Sequence, residues 1–320
     1  RISLFGGGTD YPIWYHRYKG SVINITINKY CYITARYLPP FFKYKHRIRY
    51  YLHEETNSIE EIKHPSVRET AKFLNIDQGI EIVHNADLPA RSGLGSSSTF
   101  TVGLLHALYG LKRYMPTKRE LALNAIHIEQ NLIKENVGSQ DQTAAAFGGI
   151  NKINFSKENT IDVEHLIISH ERIIELQNNL MLFFTGFARN ASDIANEQIK
   201  MTLNKTKELN DIFDICTEGF SVLNNENDSM DKIGYLLNEQ WLIKRTLTTK
   251  ITNSKIDDIY QTGIKAGALG GKLLGAGAGG FILFYVPKKY QPKVKKALKS
   301  KLFVPFRFET TGSKIIYHSK

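Results

Sequence analysis

Pro89-Ala90-Arg91-Ser92-Gly93-Leu94-Gly95-Ser96-Ser97-Ser98-Thr99 is the stretch on which the reading of this chain turns. Before it, Ile80-Glu81-Ile82-Val83-His84 alternates like a strand. After it, Phe100 to Leu108 reads as a largely apolar helix. The order is therefore strand, small-residue loop, helix. Glycines let such a loop turn sharply and bring its N–H groups close to a ligand. The helix start adds unpaired N–H donors and a partial positive charge, which favour an anion. The hydroxyls of Ser96, Ser97, Ser98 and Thr99 can cap the helix, touch phosphate oxygens or ligate a hard cation. An ordinary capped helix after a glycine turn has the same letters, and this stretch alone leaves both readings open.

Working outward, 320 residues are enough for two domains, each with its own core. No apolar run approaches the ~20 residues that span a bilayer, and no opening segment reads as a secretion signal. The chain begins at Arg1 rather than Met, so a few preceding residues are expected. Cys31 and Cys216 are the only cysteines, which argues against a disulfide scaffold and fits a reducing cytoplasm. Zinc is not expected, because no paired Cys/His spacing occurs. The formal charge of +11 admits nucleic acid, a membrane surface or an anionic substrate. Much of it lies between Lys288 and Lys301, where helical spacing sets Val294, Leu298 and Leu302 opposite the lysines. That is a solvated helix face without the aromatic platform of a single-strand binder.

Along the chain, Ile2 to Phe5 is a short strand entering Gly6-Gly7-Gly8-Thr9-Asp10. Three glycines in a row fit a backbone that passes very near something, and Asp10 could either take polyol hydroxyls or cap the next segment. Gly20 to Ile27 and Cys31 to Ala35 read as neighbouring antiparallel strands. Phe41 to Tyr51 is basic and aromatic, a strand with one wet face or an RNA-like surface, and Pro65 to Leu74 reads as a helix. Thr117 with Glu120 makes a capping box, and the helix continues through Leu132. Glu129 lies on or beside its apolar face; position alone favours exposure over pairing or metal ligation. Asp141 stands near the start of a helix closed by Gly148-Gly149, where the dipole holds it ionised or it serves as a cap. A strand, Ile150 to Phe155, ends this half.

In the second half, Leu180 to Phe184 is a buried strand leading to Arg189, which suits either a bidentate phosphate grip or a surface salt bridge. Residues 192–225 and 230–249 read as two long helices, and 257–268 as a third. Gly275-Ala276-Gly277-Ala278-Gly279-Gly280 has the spacing of a dinucleotide fingerprint. Such a fingerprint follows a strand and opens a helix. Here the glycines follow a helix and enter the strand Phe281 to Val286, so a nicotinamide cofactor is rejected.

In order, Arg1–Asp10, Pro89–Ser98, Gly138–Gly149 and Gly270–Gly280 resemble the motifs of the GHMP small-molecule kinase superfamily, which includes galactokinase, homoserine kinase and mevalonate kinase. The likeness runs to about residue 312. Phe5-Gly6-Gly7-Gly8-Thr9-Asp10 and Gly138-Ser139-Gln140-Asp141-Gln142 are most similar to the branch acting on a heptose 7-phosphate.

The resemblance implies an α+β kinase with a ribosomal-protein-S5-domain-2-like N-terminal domain over residues 1–175 and a ferredoxin-like C-terminal domain over 176–320. It implies that ATP lies on Arg91, Ser92, Gly93, Leu94, Gly95, Ser96, Ser97 and Ser98. Mg²⁺ would be held by Ser97 and Glu129, with Glu135 as the alternative carboxylate. Asp141, beside Arg1, would orient or deprotonate the attacking hydroxyl, while Gly7, Gly8, Thr9, Asp10, Arg189 and Gly277 would face the sugar. Ser98 departs from the family, where many members have alanine. In phosphoryl transfer the protein mainly positions reactants and neutralises phosphate charge, which these residue types suit. The activity implied is ATP-dependent phosphorylation of the anomeric hydroxyl of a heptose 7-phosphate. The product, heptose 1,7-bisphosphate, would supply nucleotide-activated heptose for surface polysaccharide. Alternatives are a kinase of an unphosphorylated sugar, of fucose or galactose type, and an RNA-binding module, because the same N-terminal fold occurs in ribosomal proteins. A homodimer is left open; neither membrane nor nucleic acid is expected as a partner.

Overall fold

The first half of the chain folds as β1 (Ile2–Phe5), α1 (Pro12–Tyr15), β2 (Gly20–Ile25), β3 (Cys31–Tyr37), β4 (His46–Arg49), β5 (His53–Thr56), α2 (Pro65–Phe73) and β6 (Ile80–Ala86). It continues through α3 (Ser96–Leu111), α4 (Lys118–His127), a π-helical turn (Ile128–Leu132), α5 (Gln140–Phe147), β7 (Ile150–Phe155), β8 (Ile161–His165) and α6 (His170–Asn179). The computed structural model describes residues 1–90, 92–158, 160–187 and 191–319, without the side chains of 191–193. Arg91 and Arg189, both expected at the site, lie outside the described residues.

Two sheets organise this half, one in the order β1-β2-β7-β8 and one in the order β3-β6-β4-β5. The expectation that residues 20–27 and 31–35 pair with each other is therefore wrong. β2 pairs with β1 and β7, whereas β3 pairs with β6. The place of a hairpin partner is taken by the chain's own tail: Ile27 bridges Phe308, and Asn28 N–H donates to Arg307 O at 2.9 Å. The burial follows, β2 being covered along its whole length and β3 alternating between half-buried and exposed.

The second half is β9 (Leu180–Phe184), α7 (Ala191–Met201), α8 (Thr206–Asn224), α9 (Asp231–Lys244), α10 (Ser254–Lys265), β10 (Gly270–Leu273), β11 (Phe281–Tyr285), α11 (Gln291–Ala297) and β12 (Leu302–Phe303). Its sheet is antiparallel in the order β10-β11-β9-β12. Strand, helices, two strands, helix, strand in that sheet order is the ferredoxin-like arrangement.

Three local expectations fail here. Residues 192–225 form two helices, because a 3₁₀ turn at Thr202–Asn204 intervenes. Thr202 Oγ1 donates to Gln198 O at 2.9 Å, the local competition with the helix ladder that hydroxyl residues offer. The glycine loop 275–280 follows a strand, β10, and closes a hairpin with β11. Gly270 and Gly271 hid that strand, since glycine carries little strand propensity. Each is required by packing, a Cβ on Gly270 standing 1.9 Å from Gly234 O. The loop still opens no helix, so a dinucleotide fingerprint stays excluded. Finally, Val294 and Leu298 are buried, but Leu302 has left the helix for β12 and is 66% exposed.

The halves share a core. Phe5, Ile23 and Ile25 pack in one buried cluster with Val222, Leu182 and Leu283. Gly219 of α8 lets Phe5 approach, its Cβ position lying 2.7 Å from the ring. The tail then returns to the first half, where Ser313 N–H donates to Ala145 O of α5. We propose the division at 175/176 on the sheets, β1 to β8 preceding it and β9 to β12 following it; α6 runs across it. Among the described residues no helix is long and apolar enough to cross a membrane.

Candidate active site

The loop between β6 and α3 is shaped by its two glycines. Gly93 and Gly95 have φ of +82° and +77°, a left-handed backbone that glycine adopts without Cβ strain. Gly95 sits at the head of α3, and no side chain caps that helix start. The first intrahelical bond to Gly95 runs from Thr99 N–H to its carbonyl at 2.9 Å. The N–H groups of Ser96, Ser97 and Ser98 precede it, which is the donor set an anion at a helix start uses. The loop leans on the β10–β11 hairpin: a Cβ on Gly93 would stand 2.5 Å from Leu274 O, and one on Gly280 2.2 Å from Ser92 O. Ser92 and Leu94 are buried in that contact.

Asp141 lies in the first turn of α5 and meets this loop. Its Oδ1 accepts from Arg1 Nε at 2.6 Å and also from Nη2. Its Oδ2 faces Gly95, standing 3.2 Å from where a Cβ there would be, with Arg1 Cγ at 3.5 Å from the same point. The Arg1 backbone nitrogen donates to Leu94 O at 2.9 Å. Loop, arginine and aspartate thus form one cluster, with one carboxylate oxygen held and the other turned to the loop.

On its other side is the glycine triplet. Gly8 N–H donates to Asp10 Oδ1 at 3.0 Å, and Ser139 N–H, just before α5, donates to Asp10 O at 3.0 Å. Asp10 is buried, which raises its pKa, and the charge of Asp141 raises it further. Gly138 makes room for that carboxylate: a Cβ there would be 1.9 Å from Asp10 Oδ2. Thr9 has a different job. Its buried hydroxyl lies 2.8 Å from Gly6 O and accepts from Ser21 N–H at 3.1 Å, pinning the turn to β2. Gly277 is seated against the backbone of Ile251.

Glu129 is fully buried, contrary to the exposure its position favours. The π-helical turn at Ile128–Leu132 rotates it inward; single π turns inside helices frequently mark functional sites. Its Oε2 accepts from Ser98 Oγ at 2.8 Å and from Gln142 Nε2, the Thr101 hydroxyl stands close enough to favour its ionised form, and Oε1 makes no hydrogen bond within normal distance among the described residues. Burial raises its pKa to about 7. Ser97, expected to share a metal with Glu129, is exposed, and it is Ser98 that Glu129 engages. Glu135 is half-buried with its pKa raised by burial, and its backbone N–H donates to Glu129 O at 2.8 Å.

Residues 62–149 match the GHMP kinases N terminal domain and residues 223–304 match GHMP kinases C terminal. The D-glycero-alpha-D-manno-heptose 7-phosphate kinase of Campylobacter jejuni is 30% identical, over 98% of this chain and 96% of its own. This chain belongs to the GHMP kinases. A galactokinase of Pyrococcus furiosus is 24% identical over 97% of this kinase and 93% of its own length. In fold, the kinase superposes with a TM-score of 0.80 on the crystal structure of a D-glycero-D-manno-heptose 1-phosphate kinase from Bacteroides thetaiotaomicron. That pair is 24% identical, with 99% of this chain and 97% of the other covered.

Two supports of the candidate site gave no signal in the sequence. Lys244, at the end of α9, is buried and donates to Leu273 O at 3.0 Å and Gly275 O at 2.6 Å, fixing the hairpin on which the Gly93 loop rests. Burial and then the charge of Arg1 lower its pKa to about 7. Gln142 reads as one more polar residue after Asp141, yet it joins α5 to Glu129.

The buried Glu129 makes stability depend on pH. Its carboxyl ionises near 4.5 when unfolded and near 7 when folded. The folded state therefore keeps the proton longer, and stability falls as pH rises from about 4.5 to about 7, then levels off. The total is up to about 3 kcal/mol. Glu129→Gln is expected to abolish that fall and to melt higher than the parent protein at pH 8 without metal. Thermal melts across this range check it, and an unchanged pH profile contradicts it.

Proposed function

We propose that this kinase transfers the γ-phosphoryl group of ATP to the anomeric hydroxyl of a heptose 7-phosphate, giving the 1,7-bisphosphate. That it is an ATP-dependent sugar kinase follows from its family and its sugar-kinase relatives; the proposal concerns which sugar and which residues. The observation that carries the residue roles is the position of Asp141, with one oxygen on Arg1, the other toward Gly95 of the phosphate loop, and Asp10 alongside. The heptose is supported by the Campylobacter relative, which spans the whole chain.

In this reading the N–H groups at the head of α3 hold the nucleotide phosphates. Asp141 aims the acceptor hydroxyl at the terminal phosphorus and takes up its proton as the new O–P bond forms and the bond from that phosphorus to the β,γ-bridging oxygen breaks, releasing ADP. An anomeric hydroxyl is more acidic than an ordinary alcohol, so a weak carboxylate base suffices. Arg1 fixes the Asp141 carboxylate, and positioning of this kind is the main protein contribution to phosphoryl transfer.

The residues also fit a Mg²⁺ ion. Glu129 presents one buried oxygen without a hydrogen bond among the described residues, and Ser97 is exposed in the first turn of α3 beside Ser98. Among the described residues no group of three His, Cys, Asp or Glu side chains could hold a metal, and Mg²⁺ is commonly bound by one or two carboxylates with substrate phosphates and water. When bound, the ion would supply charge neutralisation for the phosphates.

An ATP-consumption panel of heptose 7-phosphate, fucose, galactose and mannose tests the substrate. Heptose 7-phosphate is expected to be the best acceptor by kcat/KM. Turnover of neutral sugars alone would replace the heptose assignment by the fucose- or galactose-type reading, which the fucokinase and galactokinase relatives support.

A further inference from the structure

Three glutamines from three helices close around the glycine triplet. Gln140 opens α5, Gln198 lies in α7 and Gln240 in α9, and their exposures are 9%, 6% and 0%. A Cβ on Gly7 would stand 3.8 Å from Gln140 Nε2, and one on Gly8 3.0 Å from Gln198 Nε2. Gly6 N–H donates to Gln240 Oε1 at 3.3 Å. Gln140 also stands near the Asp10 carboxyl and favours its ionised form.

This set is only half used. Among the described residues, Gln140 Oε1, Gln240 Nε2 and the nearby Ser3 Oγ are buried polar atoms without a hydrogen-bond partner. Buried polar groups are nearly always paired, so unpaired ones converging on one loop point to a missing partner. The partner's chemistry follows from what is offered: neutral carboxamides, which donate and accept, one hydroxyl, and the Asp10 carboxyl. A hydroxyl group likewise donates and accepts, which matches neutral carboxamides.

We propose that Gln140, Gln198 and Gln240 form a hydroxyl-reading wall of the acceptor site, which selects a polyhydroxylated ligand by its uncharged face. The proposal rests on the sugar-kinase reading and adds to it which side chains choose the sugar. It also accounts for the glycines, since a side chain on Gly7 or Gly8 would occupy the space between the carboxamides and the ligand.

The test uses the intact kinase and the sugar it phosphorylates best. Gln140→Met and Gln198→Met keep the side-chain length and remove the amide. Each is expected to raise the acceptor KM about tenfold or more, as loss of one buried hydrogen bond does, with the ATP KM and the melting temperature unchanged. A parallel measurement on the unaltered kinase compares that sugar with its single-deoxy analogues. At least one deoxy position other than the reacting carbon should lose about tenfold in kcat/KM, and this arm is decisive even where a variant does not fold. Unmoved acceptor KM values in folded variants, or a flat deoxy series, overturn the wall while leaving the kinase reading intact; such an outcome would mean that the amides hold water only. Absence of turnover with any sugar overturns both.

Discussion

Asp141→Asn is expected to lower kcat by about 10²–10⁴-fold, the usual contribution of a positioned acid–base group, with ATP affinity retained. Asparagine keeps the size of the side chain but cannot accept the hydroxyl proton. It also turns either an oxygen or an NH₂ toward Arg1, which binds Oδ1 through two of its nitrogens. The loop is shaped by its own glycines and by the hairpin beneath it, so the donors at the head of α3 are expected to stay in place. Single-turnover kinetics with a separate nucleotide-binding titration resolves the two effects. A kcat within about threefold of the parent enzyme would remove Asp141 from the mechanism.

Gly93→Ala should do the reverse, damaging nucleotide binding first. Its φ of +82° costs an alanine roughly 1–2 kcal/mol. The larger effect is steric, because the new Cβ would meet a backbone atom, Leu274 O, at 2.5 Å, and no flexible side chain can give way. The reciprocal approach is as close, a Cβ on Gly275 standing 2.4 Å from Gly93 Cα. The loop must therefore lift off the hairpin that Lys244 holds, moving the donors at the head of α3. A rise of about 100-fold in the ATP KM is expected, the loss that a misplacement of about 1 Å carries. Gly186→Ala is the control: its φ is +93° with nothing among the described residues within 4 Å of the Cβ position, so it should lower stability without moving the ATP KM. Equal effects from the two substitutions would mean that backbone strain, not loop position, is being read.

How much of this could be read from the letters depended on range. The strand–loop–helix around Gly93 and Gly95, the Thr117 cap with Glu120 N–H at 3.1 Å, and the helix carrying Asp141 are set by neighbours in sequence, and they stand where expected. The partnership of β2 was not legible, because one partner, β7, lies far along the chain, and the tail occupies the place just beyond β2 where a hairpin would continue. Glu129 misled for the same reason: its spacing shows a helix edge, but the partners that receive it in the interior, Ser98 and Gln142, stand on other helices. Lys244 and Gln240 looked like ordinary helix positions, since their partners, Gly275 O and Gly6 N–H, belong to loops distant in the chain.

The most direct measurement is a crystal structure of the kinase with Mg²⁺, a non-hydrolysable ATP analogue and the preferred sugar. Phosphates are expected on the N–H groups of residues 93–98, and the acceptor hydroxyl within about 3 Å of the Asp141 carboxylate, on the Asp10 side. An open cleft of about 620 Å³ lies elsewhere, lined by Gly110, Arg113, Tyr114, Met115, Ile315 and His318. Nucleotide bound there, with the Gly93 loop empty and Asp141 out of reach of the sugar, would contradict the phosphate-loop mechanism.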